Sequence, residues 1–320
     1  MTRLRLRFSK RVPLVLSRFR KLAAAGTPWL DTPAVALSER TRDPDEWYEE
    51  FRAQIEGLVG ARRHFPVFRI SHGEFIVMGG YRDNLRARLR RTASRLLGKQ
   101  KAFKSGDPLY GWEEYTEAEL TAVKRDLPAL VREMASDGIL AIALHPENPG
   151  FAPFLEPAFE WFESHSIDLN EGNYFPFYFV YVLLCGPDRL GLLSGRRVLV
   201  VTGDTHEKRE KITGNLRQFG AADVQFVPCH PTKAMLATID LSAVAGRVDV
   251  ALVGAGVGAA RVLAQLRPLG AVCIDAGYCL SVIADPSIPR RPYAQPDDDP
   301  SFGRAAGIPH GVEGRTSGEP

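Results

Sequence analysis

The chain has 320 residues, of which 45% are apolar and 25% charged, and it carries a net charge of +3. That length and apolar content suffice for one large or two modest domains with buried cores, which is the profile of a soluble globular protein. No run of about 18 apolar residues occurs, which argues against a spanning helix, and the N-terminus lacks the apolar stretch and small-residue cleavage site of a signal peptide, so the cytosol is the expected compartment.

The charge is unevenly spread. Met1 to Lys104 holds 23 Lys and Arg against 10 Asp and Glu, so the remainder is acidic. In residues 1–42 a basic arm interleaves Arg3, Arg5, Arg7, Lys10, Arg11, Arg18, Arg20 and Lys21 with Leu4, Leu6, Phe8, Val12, Leu14 and Phe19. Such an arm suits the inner face of an anionic membrane or another polyanion, or it is simply solvated and partly disordered. Nucleic acid is disfavoured as a partner, because no recognisable binding module accompanies the charge.

Asp43-Pro44-Asp45-Glu46 predicts a helix start, with Trp47, Phe51, Ile55 and Leu58 following at helical spacing. Phe65-Pro66-Val67-Phe68 then leads into Arg69-Ile70-Ser71-His72-Gly73-Glu74. Strand propensity and the permissive Gly73 predict a strand end that turns sharply, with Arg69, His72 and Glu74 at its tip. The ends of strands are where α/β folds keep their chemistry. Tyr81 to Leu97 reads as a helix bearing Arg82, Arg86, Arg88, Arg90, Arg91 and Arg95, which either meet phosphates or an acidic lipid-linked acceptor, or form a solvated face.

Lys101 to Tyr115, rich in Gly, Pro and aromatic residues, reads as a loop and a candidate lid. Glu117 to Ser136 predicts a helix and Gly138 to Leu144 a strand ending at His145, a residue that either lines a site or is an ordinary loop histidine. Tyr174 to Leu184 is too short to span a bilayer and reads as a buried helix. From Arg197 the alternation becomes regular. Strands are expected at 198–201, 224–227, 248–253 and 271–274, and helices at 206–219, 232–241 and 257–266. This pattern implies an α/β fold, a Rossmann-like layered and mostly parallel sheet flanked by helices. The Pro- and Gly-rich tail 286–320, with Asp297-Asp298-Asp299, is expected to be disordered.

Cys185, Cys229, Cys273 and Cys279 lie far apart without a Cys-X-X-Cys pair, and read as buried thiols. Cys229 and His230, being adjacent, do not easily aim at one ion and read as structural. Two strand-to-turn junctions share an edge if the sheet is parallel: Thr202-Gly203-Asp204, and Gly254-Ala255-Gly256-Val257-Gly258-Ala259. Glycines there let a backbone approach a diphosphate, or serve tight strand-helix packing. Asp275, at the end of the next strand, suits ribose hydroxyls or the orienting of an acceptor, and otherwise caps a turn. Tyr278 suits stacking on a base, or packs as an ordinary aromatic. A dinucleotide or S-adenosylmethionine is the rival occupant, because Asp275 stands where a dinucleotide fingerprint keeps its acid.

Arg69 to Glu74 resembles the Arg-X-X-Asp-Gly-Glu signature of glycosyltransferases with the GT-D fold, with His72 in the place of the Asp. The stretch from Val248 through Gly254-Ala255-Gly256 to Ile274-Asp275-Ala276-Gly277 is similar to that family's closing strand, helix and strand, with Tyr278 where a His commonly stands. The resemblance runs in outline from His64 to Ala284. It implies a GT-D-type domain over 43–285 that moves a sugar from a nucleoside diphosphate sugar to a glycan or glycosylated acceptor. It also implies that Glu74 and His72 handle a divalent metal, Mn²⁺ or Mg²⁺, and the diphosphate. His72 brings a neutral imidazole without the charge that draws a hard cation. Arg69 would offset phosphate charge or brace Glu74, while Gly203, Asp204, Gly254, Gly256, Gly258, Asp275, Gly277 and Tyr278 would shape the nucleotide site. The alternatives are a non-catalytic nucleotide-sugar-binding or partner protein of the same fold, and an NAD- or S-adenosylmethionine-dependent enzyme.

Overall fold

The computed structural model describes residues 13–15, 33–35, 44–78, 115–142, 155–230 and 232–287. The arginine-rich segment 81–97, loop 101–114, His145, the tail from 288 and all of the basic arm except two short strands lie outside the described residues. Those two strands, β1 (Pro13–Val15) and β2 (Pro33–Val35), pair antiparallel with Pro13 opposite Val35.

The body of the protein is a seven-stranded, all-parallel sheet flanked by helices, a Rossmann-like α/β architecture. Its strands are β3 (Phe65–Ile70), β4 (Ile139–Ile142), β5 (Tyr174–Pro176), β6 (Arg197–Thr202), β7 (Asp223–Pro228), β8 (Val250–Gly254) and β9 (Val272–Asp275). They lie side by side in the order β5-β4-β3-β9-β8-β6-β7. The chain builds outward from β3 to β5, crosses over to β6 and β7, and returns through β8 to end at β9, beside β3. Ile139 to Ile142 and Val250 to Val253 are buried throughout, as continuous apolar runs must be when helices cover both faces of a sheet.

Helix α1 (Pro44–Leu58) opens with proline at its first position, where a missing N–H costs nothing. It buries Trp47, Tyr48, Phe51 and Ile55. Its ring cluster meets β5 and helix α5, with Phe51 5.3 Å from Phe175 and Trp47 edge-on to Phe179 at 5.7 Å. The short α2 (His72–Met78) follows β3 directly. Helix α3 (Glu117–Asp137) starts at a capping box in which Thr116 and Glu119 satisfy each other's backbone N–H groups. Val123, Leu127, Val131 and Met134, one turn apart in succession, form its buried stripe. The remaining helices are α4 (Leu155–Ser164), α5 (Tyr178–Cys185), α6 (Arg189–Leu193), α7 (His206–Gln218), α8 (Ala259–Gln265) and α9 (Cys279–Ala284). Among the described residues no helix is long and apolar enough to cross a membrane.

Several elements differ from expectation. Tyr174 to Leu184 is not one helix, because Tyr174 to Pro176 extend the sheet as edge strand β5, with Tyr174 opposite Leu140. Pro176 keeps Phe175 out of helical geometry and, at the end of an edge strand, leaves no ladder bond unmade. Residues 232–241 form no α-helix, only the single 3₁₀ turn Ala234–Leu236. Tertiary partners capture the backbone there: His230 Nδ1 accepts from Lys233 N at 2.8 Å, Tyr115 Oη from Met235 N at 3.1 Å and Gln265 Oε1 from Ile239 N at 2.9 Å. Finally, helices form where none was expected at Leu155–Ser164, Arg189–Leu193 and Cys279–Ala284, the last two too short to show a period, and at His72–Met78, so that His72 and Glu74 belong to the first turn of a helix and not to a bare turn at the strand tip.

Candidate functional site

All seven strands point the same way, so the loops that follow β3, β6, β8 and β9 share one edge. Between them lies a cleft of about 400 Å³, outside the carboxyl ends of the strands and between the loops after β3 and β9 on one side and those after β6 and β8 on the other. Open parallel sheets bind ligands at such crevices.

The β3 side supplies Arg69, Ser71 and Glu74. Strand β3 runs two residues further than its apolar core, so Arg69 sits within the strand and Ser71 alone separates it from α2. Ser71 and Glu74 stand three residues apart across the helix start, the spacing of a capping box. Glu74 Oε2 accepts from the Ser71 backbone N–H at 3.0 Å and from Ser71 Oγ at 3.1 Å. Those bonds are local, yet the carboxyl they hold is only 6% exposed. Burial, and secondarily the nearby charge of Asp275, raise its pKa to about 7, against the pull of the Ser71 N–H and of Arg69.

Asp275, the last residue of β9, is 3% exposed. Burial pushes its pKa up, and the Arg69 guanidinium, with Nη2 at 3.4 Å from Oδ1, opposes that shift. Two buried carboxyls and one guanidinium therefore form a single electrostatic unit. Arg69 is the partner of Asp275 rather than a bidentate brace for Glu74. Gly277 makes this possible: its φ is +42°, and a Cβ there would overlap the guanidinium of Arg69.

The β6 and β8 turns form the opposite wall, where Gly203, Asp204, Gly254, Gly256 and Val257 line the cleft. Gly256 has φ +50° and nothing within 4 Å of where a Cβ would stand, so its backbone borders open space. Gly258 does not line the cleft; a Cβ there would overlap the Ala234 backbone, which makes it a packing glycine. Tyr278 is at the rim, 38% exposed. His72 provides the first residue of α2, and its side chain lies outside what is described.

Several lining residues had escaped the sequence reading. Lys208 and Ser281 come from α7 and α9, and Phe177 and Tyr181 from the β5–α5 corner. Lys208 was within reach, standing four residues after Asp204 across a predicted helix start. The aromatic pair had no sequence signal, because only the sheet order brings β5 towards β3. All four cysteines are free and buried.

No group of three His, Cys, Asp or Glu side chains among the described residues is placed to hold a metal ion. Arg69 already supplies the positive charge that Glu74 and Asp275 feel. The described residues therefore do not fit a metal site by themselves. Set against protein-family models, curated proteins and solved structures, the chain matches none of them.

Proposed function

We propose that the protein is a glycosyltransferase of the GT-D type, which moves a sugar from a nucleoside diphosphate sugar to a hydroxyl of a glycan or glycosylated acceptor. The observation that carries this reading is the convergence in one cleft of a buried carboxyl whose pKa is raised to about 7, a guanidinium, and two small-residue turns. In such a transfer the acceptor oxygen bonds to the anomeric carbon as the bond to the diphosphate breaks. The acceptor proton must be taken up, and negative charge grows on the departing diphosphate.

Glu74 suits the first task, since a carboxyl with a pKa near neutrality is both available as a base and basic enough to draw a hydroxyl proton. Arg69 suits the second, with Asp275 as the positioning residue that holds its guanidinium at the sheet edge. The open backbone at Gly256 and the turn at Gly203 admit a diphosphate closely, and Tyr278 offers a face for the base.

The test is a thermal-shift and calorimetric screen of UDP-, GDP-, TDP- and CMP-sugars, with and without Mn²⁺. A ligand that binds only the folded protein raises its melting temperature by mass action. One sugar nucleotide should stabilise the protein, and Glu74→Gln should keep that binding while losing transfer to a glycan acceptor panel. Full transfer by Glu74→Gln would sink the mechanism, and binding without turnover would favour a non-catalytic nucleotide-sugar-binding protein. A second reading has one observation behind it: β8, α8 and β9 form an adjacent parallel unit, with a glycine turn after the first strand and an acid ending the second. NAD and S-adenosylmethionine belong in the same screen for that reason.

A further inference from the structure

Lys208 stands in the first turn of α7, where its Nζ donates to Asp204 Oδ1 at 2.8 Å and to Ser281 Oγ at 3.1 Å. All three residues line the cleft. The side chains of Lys208 and Asp204 are 31% and 23% exposed, so the pair is neither a freely solvated surface bridge nor a sealed one. Asp204 is itself fixed in place, since Thr202 Oγ1 donates to its Oδ2 at 2.8 Å and accepts from its backbone N–H at 3.2 Å. The glycine turn after β8 borders the same cleft, with space at Gly256 that no side chain fills.

An ammonium group has three donors and rotates freely on its stem, so it can turn from one anion to another without moving the helix that carries it. A partly desolvated cation facing a cleft gains most from an anion that brings several acceptor oxygens, and a phosphoryl group does so. Asp204 occupies Lys208 until such an anion arrives, and its own negative charge then disfavours the newcomer. We propose that Lys208 and Ser281 form a phosphoryl-binding subsite in the cleft, and that Asp204 is a built-in competitor that sets its affinity. This rests on the reading of the cleft as a nucleoside diphosphate site and names the residues that grip the diphosphate.

The subsite predicts opposite effects from the two halves of one ion pair. Titration calorimetry of the full chain with inorganic pyrophosphate, and with the sugar nucleotide identified by the screen, should show binding weakened about tenfold or more in Lys208→Ala, the loss expected for a charge-assisted bond. Ser281→Ala should lose a smaller factor, about threefold, in keeping with a neutral hydroxyl. Asp204→Asn should bind pyrophosphate several times more tightly than the unaltered protein. Because Lys208→Ala leaves Asp204 unpaired, the double variant Lys208→Ala/Asp204→Asn, which leaves no orphan charge, must bind pyrophosphate more weakly than Asp204→Asn by about tenfold or more. If the pair is only structural, both single variants lower the melting temperature and neither changes affinity, which overturns the subsite. Unchanged sugar-nucleotide binding in Lys208→Ala overturns the subsite and leaves the nucleotide reading of the cleft intact. An unaltered protein that binds neither pyrophosphate nor any sugar nucleotide overturns both.

Discussion

Asp249 and Asp275 bracket the same two adjacent strands, one just before β8 and the other ending β9, and their surroundings differ in kind. At the amino edge of the sheet, Asp249 accepts from the Arg197 backbone N–H at 3.0 Å and pairs with Arg247 Nε at 2.8 Å. Arg247 in turn donates to the Gly60 carbonyl at 2.9 Å. Every group there ties one loop to the next, and the arginine remains 42% exposed. At the carboxyl edge, Asp275 and Glu74 are buried beside a cleft, and Arg69 is the cation that acts on both. Both edges hold carboxylates and guanidinium groups. One arrangement completes hydrogen bonds of the fold, and the other keeps charge under tension where a ligand can enter, which is the usual mark of a site.

Removing the cation from each edge sharpens this contrast most. Arg69→Met leaves two buried carboxyls without compensation and should cost about 3–5 kcal/mol in urea unfolding at about pH 8, with the loss shrinking as acid neutralises them. An equal loss in acid and base would deny that Arg69 acts through charge. Glu74→Gln should move the other way. The folded carboxyl has a pKa of about 7 against an ordinary 4.5, so the folded state holds its proton over that interval while the unfolded state has released it. The contribution of Glu74 to stability is therefore full below about pH 4.5 and is lost as pH rises through 7. Glu74→Gln should then be more stable than the unaltered protein by on the order of 2 kcal/mol at about pH 8, with the gain vanishing in acid. A flat difference across pH would contradict the raised pKa.

Smaller effects belong to the amino edge. Asp249→Asn keeps one acceptor but loses the charge that binds Arg247, and should cost about 1–2 kcal/mol without altering ligand binding. Arg247→Ala should cost less than about 1 kcal/mol, and less again in high salt, because its partner keeps the Arg197 N–H bond. A change in sugar-nucleotide affinity from either variant would break the distinction between the two edges.

Much of this arrangement could be read from the chain. Continuous runs such as Val198 to Val201 and Val250 to Val253 have the composition of strands covered on both faces, and their alternation with amphipathic segments implies parallel crossovers. Arg69, Glu74, Asp275 and the two glycine turns were recognisable because strand ends and small-residue turns are local features. Residues 174–176 and 232–241 were misread for a shared reason: the partners that decide their conformation, β4 in one case and Tyr115, His230 and Gln265 in the other, are distant in sequence or act through single side chains.

The sequence by itself determined the class of fold and most of the polar groups at the cleft, since hydrophobic period and turn chemistry are written within a few residues. Only the tertiary structure decided which groups meet. The insertion of β9 between β3 and β8 sets Asp275 against Arg69, 206 residues away, and lets it raise the pKa of Glu74. The packing of α9 against α7 puts Ser281 on Lys208. Electrostatic coupling depends on distance and desolvation, and neither exists until the sheet has closed around the cleft.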